Sequence, residues 1–247
     1  MSTRMDAALA GDDESFEVVN RRLYESGFVD GLPIVPPTVS RVRALYRDAG
    51  FDPVTVLADL EPSLQPVRIY DVAVNAVMAG CLPGHLPVLV AAVVAASDPR
   101  LNLLGIQTTT GSATVALIVN GPIAPRLGIS GGSDCLGGST SANARIGRAF
   151  RLILMNLGGA RTGGLDMATM GQPAKVGLCF AENEQRSPWT PLHVERGYDP
   201  SESAVTLCGI SGTVEVVSAG NGGADEILQT IAQSMLIAGN IGSAGLI

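Results

Sequence analysis

The sequence predicts an α/β or α+β fold, a single mixed domain spanning residues 1–247 with central buried strands and flanking helices. Three observations predict it. Two short apolar runs, Thr114–Pro122 and Ala174–Glu182, flank a segment with helical periodicity, the pattern of strand, helix, strand. Between Val72 and Thr140 the only charged residues are Asp98, Arg100, Arg126 and Asp134, so that stretch belongs at the centre of the fold. Finally, 46% of the 247 residues are hydrophobic and only 16% charged, enough for a large core with apolar surface left over for an oligomer interface.

The elements follow in order. Residues 1–14 are polar and acidic, read as a flexible lead without the character of a secretory signal. Asp12–Glu14 introduce a helix over 15–26, with Phe16, Val19 and Leu23 on one face and Gly27 as its stop. "DGLPIVPPT" (Asp30–Thr38) is a stiff extended segment, and Thr38 caps a second helix that ends at Gly50. Helices are expected at 69–79 and 86–97, with Pro87 in the first turn of the latter. Thr114–Pro122 is a β-branched strand closed by Asn120-Gly121-Pro122. A helix over 141–157 comes next, started by Ser139, Thr140 or Ser141, ended by Gly158, and buried through Ile146, Phe150, Ile153, Leu154 and Leu157. Ala174–Glu182 is a second strand. Ser203–Ala219 reads as two strands around Ser-Gly, and a helix over 224–238 precedes an apolar tail, 239–247, suited to docking on a partner.

Charge and composition narrow the chemistry. No apolar run reaches the ~20 residues of a membrane helix. A net charge of −7 argues against a nucleic-acid partner. Lys175 is the only lysine, and no phosphate-loop signature surrounds it. The four cysteines are widely spaced without a CxxC, which reads as free thiols in a reducing, cytoplasmic setting. With only two histidines a metal site has few ligands, so no metal is assigned and the cofactor is left open; a metal enzyme using His85, His193, Cys81 or the glutamates is the lesser alternative.

Several residues could carry chemistry. Arg145, Arg148 and Arg151 recur every three residues near the start of the 141–157 helix, behind a Gly/Ser loop. Free N–H groups and guanidinium groups together favour an anion, so Arg145, Arg148 and Asn143 are candidate substrate-binding residues. Cys135, in that loop, is a candidate nucleophile. Cys81 is another, four residues before His85, although Pro83 breaks helical spacing between them. Cys179 and Cys208 lie in apolar strands and read as packing. Glu182 and Glu184 follow the second strand and alternate by two, so both point the same way; one of a close carboxylate pair can hold a proton as a general acid. His193 is a candidate base, and Trp189, between Pro188 and Pro191, a candidate pocket wall. Thr109, Asn120 and Asp30 complete the substrate-binding set. These readings converge on one expectation: positive charge at the helix start faces acids from the second half across a shared cleft.

Three strings, "YESGFVDGLPIVPPTVSRV", "NARIGRAFRLILMNLGGA" and "CFAENEQRSPWTPLHVERG", resemble the UGSC-type (seleno)protein family, in the portion lacking its UGSC or CGSC motif. The resemblance runs from Tyr24 to Gly197. The tetrapeptide is absent here, and longer relatives continue beyond the last helix, which implies a split system with a complementary UGSC-like subunit, or else a homo-oligomer. The resemblance carries no established catalytic set. It lends weight to Asp30, Cys81, Asn120, Asn143, Arg148, Glu182, Glu184 and His193, and lessens that of Cys135. The expected function is a subunit of a small-molecule enzyme acting on a polar, anionic or carbonyl-containing substrate, with thiol-dependent redox chemistry first. A lyase, hydrolase or dehydration enzyme using Glu and His is second, and a non-catalytic partner of a UGSC-like chain third.

Overall fold

The computed structural model describes residues 4–137, 141–217 and 223–237. The expected caps Ser139 and Thr140 and the tail 239–247 lie outside the described residues. Within them the mixed α/β class holds.

The amino-terminal residues are packed rather than loose. Arg4–Ala8 form a 3-10 turn with Met5 and Ala8 buried, and Ala10 bridges to Thr38. Apolar side chains in this otherwise acidic lead anchor it, a signal that its average polarity hides. Helix α1 (Phe16–Glu25) is capped by Ser15 and buries Val19 and Leu23, while Phe16 stays exposed. Helix α2 (Val39–Asp48) is capped by Thr38, as its sequence implies. Strands β1 (Val56–Leu60) and β2 (Gln65–Arg68) form an antiparallel pair that hydrophobic patterning missed, since both are largely exposed.

Helix α3 (Ile69–Met78) is the centre of the core, buried on almost every side. Its one amide, Asn75, is satisfied: Nδ2 donates to Asp71 O and Oδ1 accepts from Asn156 Nδ2 at 2.8 Å. Helix α4 (Leu86–Ala96) and the short α5 (Leu103–Thr108) lead to strand β3 (Thr114–Asn120). After the turn α6 (Ile123–Leu127) and a Gly/Ser loop comes α7 (Ser141–Asn156), which packs on α3 and buries Ile146, Phe150 and Ile153. Strand β4 (Leu178–Ala181) is shorter than expected because Pro173–Val176 turn before it. The one-turn α8 (Leu192–Glu195) precedes β5 (Ala204–Ile210). Of the two strands expected around Ser211-Gly212, only this first forms; 211–217 are not strand. Helix α9 (Ala224–Ile237) closes the described chain.

Strand order is β4-β3-β5, with β3 parallel to β4 and antiparallel to β5. The register Val119↔Ala181 and Asn120↔Ala204 brings the end of β3, the end of β4 and the start of β5 to one edge. Helix α7 lies directly on β4 because Gly147 and Gly177 meet backbone to backbone; a Cβ on Gly147 would stand 2.8 Å from Leu178 N. No helix among the described residues is long and apolar enough to cross a membrane.

Candidate functional site

The carboxyl edge of β3 and β4 gathers four of the expected residues. Asn120 is the last residue of β3 and is fully buried. Glu182 follows β4 directly, its N–H bonded to Val119 O at 3.2 Å. Asn120 Nδ2 donates to Glu182 Oε2 (2.6 Å) and to Glu184 Oε1 (2.8 Å). Two carboxylates on one side of the amide dictate that its NH2 end faces them. Gly121 N also donates to Glu184 Oε1, and Leu192 N to Glu182 Oε2, each at 2.8 Å. Asn120 Nδ2 thus bridges the two carboxylates, which the sequence had placed side by side.

His193 sits behind Glu184 on α8. It is 2% exposed, and neither ring nitrogen has a hydrogen-bond partner among the described residues. Its Nδ1 lies 3.7 Å from Glu184 Oε1. Asn120 Oδ1 is likewise buried and unpartnered. Buried polar atoms without partners are uncommon in folded proteins, and here three share one cluster. The side chain of Glu184 is 27% exposed, so it links buried His193 to solvent.

The Gly/Ser loop borders the same edge. Ala181 N donates to Ser130 O at 3.0 Å, and a methyl group on Gly131 would overlap the Ala181 carbonyl. Asn143, at the start of α7, is a brace for this loop: Oδ1 accepts from Ser130 N (2.8 Å), while Nδ2 donates to the carbonyls of Ser130 and Cys135. Cys135 is thus held near the edge, half-buried.

The arginine stripe is where expectation and structure part. Arg148 clamps Asp30 in a two-point pair, both contacts 2.8 Å, and donates to the carbonyls of Leu32 and Pro33. Burial pushes the Asp30 carboxyl up, but the bonds and charge of Arg148 outweigh it and hold it below the ordinary range. Two predicted substrate-binding residues thus bind each other and lock the "DGLP" loop to α7. Arg151 pairs with buried Asp166 at 2.8 Å, and Lys175 joins at 2.7 Å. Asp166 is pushed up by burial and brought below the ordinary range by Lys175 and then Arg151. Arg145 makes no ion pair among the described residues. Its Nε lies beside Gly80, just past the end of α3, where the negative pole of that helix favours a cation.

Other expected roles fall away for physical reasons. Burial pushes the Cys81 thiol up to about 12 despite the opposing charge of Arg145, and its Sγ faces Arg145 O at 3.5 Å. His85 gives it no base: its Nδ1 accepts from Leu82 N, and burial, with Arg145, holds its pKa below the usual value. Burial, with Cys81 adding to it, also pushes Cys179 up to about 12. Trp189 is 76% exposed and walls nothing. Thr109 accepts from Gly111 N beyond the opposite end of β3, about 20 Å from Asn120 at strand rise.

The sequence reading missed the backbone donors Gly121 N and Leu192 N and the acid Asp166. A turn glycine after Asn120 was the one signal for the first; the others become visible only through long-range packing. No protein-family model matches the chain, and no curated protein or solved structure matches it.

Proposed function

We propose that the chain is an enzyme, or an enzyme subunit, that moves a proton on a small polar molecule at the carboxyl edge of β3 and β4. His193 takes and returns the proton, and Glu184 orients the ring and connects it to solvent. The observation that carries this reading is His193 itself: buried, both nitrogens unpaired, 3.7 Å from Glu184. Leaving such a group unsatisfied costs about 1–3 kcal/mol, a cost that a ligand making the missing bonds would remove. Asn120, Gly121 and Leu192 hold the carboxylates in place, the rigid support that proton transfer needs. The burial of Cys81 counts against it as the thiol of the redox chemistry first expected, and leaves half-buried Cys135 as the other candidate.

The test is a screen in heavy water against small amines, amino acids and carbonyl compounds, with NMR reading deuterium incorporation or product. Turnover in the wild type should fall about 100-fold or more in His193→Gln and in Glu184→Gln. It should survive in Cys81→Ser and Cys135→Ser. Loss in either cysteine variant, with His193→Gln still active, would replace this reading with thiol chemistry.

A second reading is supported by the carboxyl-terminal segment. Ile227, Leu228, Ile231 and Met235 form an exposed apolar stripe on α9, and Val214, Val216 and Val217 are exposed before it. Such a surface suits a partner subunit, of UGSC type if the resemblance holds, or a second copy of the chain. Light scattering tests it: a monodisperse, active monomer would count against an obligate partner.

A further inference from the structure

Hydrogen-bond polarity at the carboxyl edge is one-sided. Every amide hydrogen that reaches the two carboxylates is engaged: both from Asn120 Nδ2, one from Gly121 N and one from Leu192 N. What remains, apart from the single ring N–H of a neutral His193, are acceptors. Glu182 Oε1 and Glu184 Oε2 make no hydrogen bond among the described residues, and buried Asn120 Oδ1 makes none. No arginine compensates. Arg148 and Arg151 are held by Asp30 and Asp166, while Arg186 and Arg196, on the segment between β4 and β5, are exposed and pair with neither glutamate.

Acidity alone would not make this a binding site. The independent observation is that His193 and Asn120, both more than nine-tenths buried, keep polar atoms unpaired in the same cluster, with His193 Nδ1 directed at Glu184. We propose that this edge binds a small cation rich in N–H donors, an alkylammonium or guanidinium group, and that this is the substrate class of the site. The inference rests on the proton-transfer reading above and narrows it.

An ammonium offers three donors and a guanidinium five, enough for Glu182 Oε1 and Glu184 Oε2 together. Charge-assisted bonds of this kind are about twice as strong as neutral ones. A carboxylate or phosphate would bring like charge to two glutamates. A bridging metal ion would need the place between the carboxylates that Asn120 Nδ2 fills, and no group of three His, Cys, Asp or Glu among the described residues has the geometry of a metal site. The partly exposed Glu184 is the side from which the ligand reaches His193.

The two histidines make the test direct. The protein is labelled at histidine 13Cε1, and His193→Gln assigns the two signals. Methylammonium, methylguanidinium, acetate and magnesium chloride are then titrated at constant ionic strength. The organic cations should shift the His193 signal saturably and leave His85 unmoved. In Glu182→Gln, which keeps size and shape, their affinity should fall about tenfold or more. Glu184→Gln serves as a second variant if the first does not fold. Unchanged affinity in a folded variant overturns the proposal. So does saturable binding of acetate, a response to magnesium alone, or silence of the His193 signal towards both organic cations. The two readings separate cleanly. Cation binding with full turnover in His193→Gln keeps the cation site and removes its proton-transfer role. No cation binding, with turnover lost in His193→Gln, does the reverse.

Discussion

The carboxyl edge of β3 and β4 and the arginine face of α7 hold the same kinds of residue in opposite states. On α7 two of the three arginines have an acid: Arg148 has Asp30 and Arg151 has Asp166, while Arg145 sits at the end of α3. At the strand edge, buried His193 and Asn120 keep atoms unpaired beside two carboxylates. Satisfied ion pairs hold segments together; on the proposal above, the unsatisfied atoms at the edge are where a ligand binds. Residue type alone does not distinguish the two, and Arg148 and Arg151, conspicuous in the sequence, are engaged in ion pairs.

The largest expected effect follows from that contrast. His193→Gln and Glu184→Gln should lower turnover about 100-fold or more with little change in melting temperature. Arg148→Met should do the opposite, keeping turnover per folded molecule within about twofold while lowering stability by about 3 kcal/mol, the cost of stranding one member of a mostly buried pair. Steady-state kinetics beside thermal melts would read both. A loss of turnover in folded Arg148→Met equal to that of His193→Gln would erase the distinction.

Asp166 tests the ion-paired half by itself. Asp166→Asn leaves Arg151 and Lys175 without their acid and should cost about 3 kcal/mol, or a fall of about 6–12 °C in a chain of this size. The sign with pH follows from the depressed carboxyl. Its contribution is fully present above the ordinary value of 3.8 and is lost as pH falls below it. The gap between wild type and variant in denaturant melts should therefore be widest near neutrality and close on the acid side. A gap that stayed constant down to low pH would mean that the ion pairs do not supply it.

How much of this was legible beforehand depends on range. The cap at Thr38 and the buried face of α7 are local patterns, and each appears as read, whereas the expected burial of 72–140 holds for α3 and β3 but not for the largely exposed loop over 131–137. The meeting of Asn120 with Glu182 and Glu184 was half legible: all three were singled out, and acids after a strand pointed to its carboxyl edge. That Asn120 would stand between them required the register Val119↔Ala181, which no local pattern encodes. The reading of the arginines failed because their acids lie far along the chain or in unremarkable strings: Asp30 is 118 residues from Arg148, and Asp166 sits in "GGLDMATM". Exposure of β1 and β2 hid them, because a strand with little buried surface has little apolar alternation to display.

A smaller effect is expected where the loop meets the edge. A methyl group at Gly131 would overlap the Ala181 carbonyl, whereas at Gly132 the nearest atom, Ser130 Oγ, is 4.0 Å away. Gly131→Ala should destabilise by about 1–3 kcal/mol and displace Glu182, because backbone cannot yield as a flexible side chain can. Gly132→Ala should stay within about 0.5 kcal/mol. Equal melts for the two would mean that the loop does not brace the site.

The smallest expected effect concerns the thiols. With Cys81 and Cys179 each pushed up to about 12, only about one in 100,000 would be thiolate at pH 7, and the thiolate is the form that reacts. Burial adds a steric barrier to that chemical one. Brief treatment of the native protein with iodoacetamide should therefore modify half-buried Cys135 and leave Cys81 and Cys179 intact, as peptide mass spectrometry would read. Turnover should change by less than about twofold, since Cys135 contributes its carbonyl, not its sulfur, to the bracing bond from Asn143. Rapid labelling of Cys81 together with loss of turnover would mean that the core beneath α7 opens on the timescale of the reaction, and the chemistry would then have to be sought at that thiol instead of at His193.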